Sequence, residues 1–309
     1  MAGYILRRLL QAIPVLLGTT FLIYFMVFAM PGDPIVALFG EKTPPPQVLE
    51  AVRERYNLDK PFIVQYLLFL GGIFRGDFGV SFSGQPVSEI LADTFPVTLR
   101  LAILAVLIEM VFGIAIGLVS GLRKGGIFDA SFLVVSLILI SLPVFVVAFV
   151  AQYVFGIQLG WFRTTVGPGA PIQDLILPAI VLATISFAQI VRLTRASVID
   201  TDTQDFVRTA ASKGLSRSRI VPVHILRNSL IPVVTYLAVD FGVLMVGATV
   251  TEGIFNVPGV GRTLYQAIIR SEGPTVVSFV TVMVLIYLVI NLLVDLLYAV
   301  LDPRIRYAK

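Results

Sequence analysis

Hydrophobic positions along this chain come in long unbroken runs separated by short polar stretches. The first run, Leu9 to Met30, follows Arg7 and Arg8 and is long enough to cross a hydrocarbon core of about 30 Å. It outlasts the apolar segment of a secretory signal, about 7 to 15 residues, and no small-x-small cleavage pattern follows. It therefore reads as a retained first span, making 1–30 a tail plus span. Pro31-Gly32-Asp33-Pro34 stops it, and a polar segment, 31–95, follows. Within that segment Gln47 to Tyr56 has a helical pattern, and Phe62 to Phe74 is apolar but too short to span comfortably, which suits a helix lying along the membrane surface. Five further runs, at about 96–120, 128–155, 175–194, 230–250 and 275–300, complete a core over 96–300, with a tail at 301–309. The expected fold is an all-α polytopic membrane protein with six transmembrane helices.

Six spans put both termini on one side, and basic residues say which. Arg7 and Arg8, Arg123 and Lys124, the many cations between Arg192 and Arg227, and Arg304, Arg306 and Lys309 fall on one side. Against them stand only Arg163, Arg262, Arg270 and Arg100, when the long first loop is left out. The excess of Lys and Arg marks the cytoplasmic face, so the termini and the 195–229 loop are expected there, with 31–95 outside. The basic bias is thus topological and leaves no nucleic-acid footprint; lipid is the expected surroundings.

Composition agrees. Hydrophobic residues make up 57% and charged residues 14%, and mean hydropathy is +0.93, values far from those of a soluble domain. The absence of cysteine excludes disulfides, thiolate nucleophiles and cysteine metal sites. The single histidine, His224, has no second histidine with which to build a metal site. No Gly-x-x-x-x-Gly-Lys-Ser/Thr phosphate loop is present, so the chain holds no ATP in the usual way and its energy must come from partners or an ion gradient.

Two carboxylates interrupt the spans. Glu109, Gly113, Gly117 and Gly121 recur every four residues and so form one ridge of a helix, which predicts close helix packing and a Glu109 buried by it. Asp240 sits near the middle of the fifth span, with Gly247 on its face. Intramembrane carboxylates mark either a translocation path or an internal hydrogen bond, and both readings stand for Glu109 and Asp240. Pro143 removes a backbone hydrogen bond and predicts a kink in the third span.

The longest polar interruption, Asp200 to Asn228, reads as helix, glycine, helix. Asp200, Asp202 and Thr203 offer capping groups. Phe206, Val207, Ala210 and Ala211 recur at helical spacing, Lys213 falls in the last turn, and Gly214 suits a left-handed C′ position. Ser216 then caps a shorter helix towards His224. A solvated loop would show charge where this one shows Phe and Ala, so it reads as a docking element.

The same stretch carries a resemblance. Arg208-Thr209-Ala210-Ala211-Ser212-Lys213-Gly214-Leu215-Ser216, then His224-Ile225-Leu226-Arg227-Asn228-Ser229-Leu230-Ile231-Pro232, resembles the signature loop of binding-protein-dependent ABC permeases, in their oligopeptide and dipeptide branch. Ala210, Gly214 and Leu226 match the general motif. Arg208 and Thr209 replace its Glu and first Ala, His224 its Ile and Arg227 its Pro, departures usual in the peptide branch. Pro31 to Pro34, Gly76-Asp77-Phe78-Gly79-Val80-Ser81, Thr251 to Gly261 and the ending Asn291 to Arg306 are similar to that branch too, so the resemblance covers essentially the whole chain. It implies a type I importer permease fold and a coupling helix, with Phe206, Arg208, Ala210, Ala211, Lys213 and Gly214, seated in a separate ATPase. It also implies an external gating loop at Glu252, Phe255, Pro258 and Gly259, which its Gly and Pro content alone would make a surface turn. The implied partners are a second permease, two ATP-binding subunits that hold ATP and magnesium, and an extracytoplasmic binding protein; the chain itself is expected to bind no cofactor and catalyse nothing. The implied cargo is peptide, with nickel or glutathione as alternatives. A carrier using Glu109 and Asp240 as ion sites is the reading from a different class.

Overall fold

The computed structural model describes residues 2–28, 45–81 and 83–301, which are helical nearly throughout. Pro31 to Pro34 and Asp302 to Arg306 lie outside the described residues. Helix α1 is Ala2–Phe28; α2 (Pro46–Arg55) and α3 (Phe62–Phe74) fall where the sequence places helices. Helix α4 (Val87–Ile108) passes through a π-helical turn, Glu109–Gly113, into α5 (Ile114–Leu122). The 128–155 run is more than kinked: α6 (Ile127–Ser141) and α7 (Val144–Ala151, prolonged by a π segment, Gln152–Gln158) meet at 104°. Proline disfavours a helical residue before it, so Leu142 is extended and α6 stops. Helices α8 (Ile172–Asp202), α9 (Asp205–Ser212) and α10 (Arg217–Ile220) follow; a π segment, Val221–Leu226, joins α10 to α11 (Arg227–Phe255). Helices α12 (Val260–Ile269) and α13 (Gly273–Leu301) close the chain. Among the described residues five helical runs are long and apolar enough to cross a membrane, and the bent pair brings the number to six.

The chain divides into two compact units, 1–98 with 258–309, and 99–257. In the first, the first and last spans group together: a Cβ on Gly273 of α13 would stand 2.7 Å from Val27 of α1. Tyr24, Tyr66 and Val277 pack there, and the Thr20 and Tyr66 hydroxyls lie 3.0 Å apart. A second core joins Val87 and Leu91 of α4 to Leu264 of α12 and Phe279 of α13.

The second unit is built around α8, two thirds of whose apolar window is buried (67%), against 33% for the α10–α11 run. The glycine ridge explains how α5 reaches it. A Cβ on Gly113 would stand 2.8 Å from Ile190, on Gly117 2.6 Å from Thr194 and 2.7 Å from the Val191 carbonyl, and on Gly121 2.8 Å from Val198. Backbone contact this close leaves no room for a methyl group. Gly117→Ala should therefore cost about 1–3 kcal/mol by overpacking, read as a lowered thermal midpoint in detergent. Gly18→Ala, at a helical glycine with nothing within 4 Å, should not lower it.

Candidate functional site

The 200–228 stretch folds onto the C-terminal end of α8, and the boundaries shift slightly from those expected. Asp200 and Asp202 do not cap α9; they form the last turn of α8, which stays helical because Val198 and Thr201 remain buried there. Thr203 is its C-cap and Gln204 the N-cap residue of α9, making no side-chain capping bond. Instead the Gln204 amide donates back to the Asp200 carbonyl (3.2 Å). Gly214 has φ +78°, the left-handed conformation expected of it. Its amide donates to the Ala211 carbonyl (2.9 Å) and that of Leu215 to Ala210 (3.3 Å), which satisfies the end of α9. Ser216 stands at the N-cap position of α10 but makes no side-chain capping bond; its hydroxyl pairs with that of Ser218 instead (3.0 Å). Arg217 closes the loop with two bonds to Asp202, 2.9 and 3.0 Å. Half-exposed as it is, that pair contributes little energy and mainly orients the turn.

Helix α9 has two distinct faces. Val207 and Ala210 pack inward with Val198, Ile220 and Ile225, against Leu118 and Leu122 of α5. Phe206, Arg208, Ala211 and Lys213 are exposed, as is Gly214. Ala210, expected at the docking contact, is 5% exposed and belongs to the loop's own core. Phe206 is 43% exposed, a large apolar side chain on an otherwise polar face. A β-carbon at Gly214 meets nothing within 4 Å, so substitution there strains backbone and nothing else. Gly214→Ala should cost on the order of 1 kcal/mol and Gly214→Val more, whereas Gly214→Asn, which visits the left-handed region readily, should be nearly neutral. That order in protease resistance of the loop checks the assignment.

Above the loop lies a network that sequence reasoning missed. Asp129, at the start of α6, accepts from Arg195 Nε (2.5 Å) and Nη2 (2.7 Å) of α8, from the Ser120 hydroxyl of α5 and from the Gly125 amide (2.9 Å). One carboxylate, 2% exposed, thereby ties two helices and a turn to α8 three residues before Val198. No motif announces it, since Asp129 and Arg195 are far apart in sequence.

Glu109 and Asp240 are brought together. Glu109 is fully buried, with neither carboxyl oxygen hydrogen-bonded, and the Asp240 carboxyl lies near enough to act on it. Asp240, 2% exposed, accepts from the Ser186 hydroxyl of α8. That bond is the interhelical one foreseen for Asp240; for Glu109 no partner of that kind is found among the described residues. Both carboxyls are sealed among α4, α8 and α11 in this conformation.

The external gating candidates separate. Glu252 and Phe255 are not loop residues: both lie in α11 and both are fully buried. The Phe255 carbonyl accepts from the Val166 amide (2.9 Å), and Gln152 Nε2 donates to the Thr164 and Ile254 carbonyls (2.7 and 3.1 Å). Helix α11 runs on because these bonds and burial stabilise its last turn, until Asn256 ends it at φ +57°. The loop proper is Asn256 to Gly259, where Pro258 is half-buried and Gly259 buried.

These elements make a multi-pass helical membrane protein with a short, two-faced helix between two of its spans. The chain belongs to the binding-protein-dependent transport system inner membrane components: that family's model matches residues 113–307, and the model of its N-terminal part matches 1–102. It is accordingly a multi-pass protein of the bacterial inner membrane. It is similar to the di/tripeptide transport system permease protein DppB of Pseudomonas aeruginosa, 35% identical over 336 residues with all of both chains covered. The dipeptide transport system permease protein DppB of Escherichia coli K12 is 35% identical over 341 residues, again over all of both chains. That of Alkalihalophilus pseudofirmus is 34% identical over 334 residues, covering 99% of this chain and all of the relative.

Proposed function

We propose that this chain is a permease subunit of an ABC importer for short peptides, driven by ATP hydrolysis in separate subunits. Full-length similarity to dipeptide and di/tripeptide permeases supports the cargo class. The observation that carries the coupling role is the division of α9 between Val207 and Ala210, held in the chain's own core, and Phe206, Arg208, Ala211 and Lys213, turned outward. The inner face transmits position to α5 and α8; the outer face offers an aromatic anchor with flanking cations, the composition of an interface hot spot. The working assembly is this chain, a second similar permease, two ATP-binding subunits holding ATP and magnesium, and an extracytoplasmic binding protein. The termini and the 195–229 loop face the cytoplasm.

The chain has no cysteine, so single introduced thiols are unique reporters. In Pro45→Cys the thiol should react with an impermeant maleimide from outside, and in Lys213→Cys only after the membrane is opened. Phe206→Ala should leave the subunit folded while the ATPase no longer co-purifies with it and peptide uptake falls at least tenfold, the loss expected for a central aromatic anchor of about 2 kcal/mol. Peptide uptake by the chain alone, without an ATPase, would instead establish an ion-coupled carrier.

A further inference from the structure

The Gly76-Asp77-Phe78-Gly79-Val80-Ser81 piece has no part in coupling, yet it helps to enclose a cavity of about 220 Å³ within the first unit. Tyr24 and Phe28 of α1 and Phe69 of α3 form a continuous aromatic wall, with ring centroids 4.6 and 5.3 Å apart. Asp77 and Gln65 supply acceptors, and no Lys or Arg is among the described residues that line the space. Gln65 is the informative member. It is 9% exposed, and its Nε2 donates to the Lys60 carbonyl (2.7 Å), which settles which end of the amide is oxygen. That oxygen, Oε1, is buried without a hydrogen-bond partner. Asp77 Oδ1 accepts from the Gly79 amide (2.9 Å), and a carboxylate has further lone pairs to offer.

An unsatisfied buried acceptor, a carboxylate and an aromatic wall, with no competing cation among the described lining residues, make a receptor for a positively charged donor. The volume lies below the about 300 Å³ at which sites for whole drug-sized ligands begin, so the cavity takes one end of a molecule. We propose that it binds the free amino terminus of a short peptide, the ammonium on Gln65 Oε1 and Asp77 and the first side chain against Tyr24, Phe28 and Phe69. This inference rests on the peptide-importer reading for the identity of the amine.

The test is calorimetric titration of the full chain in nanodiscs of phosphatidylcholine and phosphatidylglycerol, with trialanine and with N-acetyl-trialanine. Trialanine should bind and the acetylated peptide should not. Asp77→Asn keeps the acceptor for the Gly79 amide but removes the charge, and should weaken trialanine roughly fivefold; Phe69→Leu should weaken it about threefold. Equal binding of the two peptides, or binding of neither, overturns the proposal. So does loss of trialanine binding in nanodiscs containing phosphatidylethanolamine, which would make the lipid amine the occupant. Uptake by the assembled transporter separates the two readings. Trialanine binding without peptide uptake overturns the importer reading alone, and uptake without amine-dependent binding overturns this one alone.

Discussion

Ala210→Asp should abolish peptide uptake and substrate-stimulated ATP hydrolysis together, each by tenfold or more, while the spans still insert. Ala210 is packed among the apolar side chains of Val198, Val207, Ile220 and Ile225. A carboxylate placed there must either be buried without a partner, at a cost of several kcal/mol, or drive α9 off α8. The second outcome costs less, because α9 is only an 8-residue helix held by this one face. Trypsin should then cut sooner at Arg208 and Lys213, both exposed, than it does in the parent. Ala211→Asp is the informative neighbour: its side chain points outward, so the loop should keep its protease resistance and lose only ATPase docking. Full uptake and hydrolysis in Ala210→Asp would make the loop an ordinary solvated connection.

Asp129→Ala should be the most destabilising of the substitutions considered for the second unit, by about 3–5 kcal/mol, because it leaves Arg195 a largely buried charge without its carboxylate. Arg195 is 22% exposed in its side chain, so little of that cost is recovered by water. The double variant Asp129→Ala, Arg195→Ala should cost clearly less than the sum of the two single changes, since no orphaned charge remains. Asp129→Asn should fall between, keeping one oxygen, for the Ser120 hydroxyl or the Gly125 amide but not both, and losing the charge. Thermal midpoints of the purified subunit check the order. Additivity of the single changes would mean that α5, α6 and α8 are held by apolar packing alone. Because the network lies one turn from Val198, loss of coupling should track loss of stability across this series.

Much of the molecule was legible because each signal was local. A span is an uninterrupted apolar run long enough for the membrane, and α1, α4 with α5, α8, α11 and α13 stand where those runs are. The conformation of Gly214 follows from what a helix end requires of its C′ residue, and the glycine ridge from a four-residue period that puts every small side chain on one face. The candidate coupling loop was visible for the same reason, as the longest polar break in an apolar chain.

What the sequence alone determined, then, is the set of helices, their apolar faces and the left-handed turn after α9. Only the tertiary structure decided which face meets what. A helical period says that Ala210 and Phe206 lie on different sides of α9 but not which side is inward; α5 and α8, arriving from elsewhere in the chain, decide that. It says that the ridge packs closely but not that α8 receives it. Asp129 finds Arg195, and Asp240 finds Ser186, across dozens of residues, where a carboxylate's need for a donor is certain and the donor's identity is not. Glu252 and Phe255 look like loop residues beside Pro258 and Gly259, and are helical because Val166 and Gln152 bond the end of α11. Propensity acts on near neighbours along the chain, and a partner brought in by the fold overrides it.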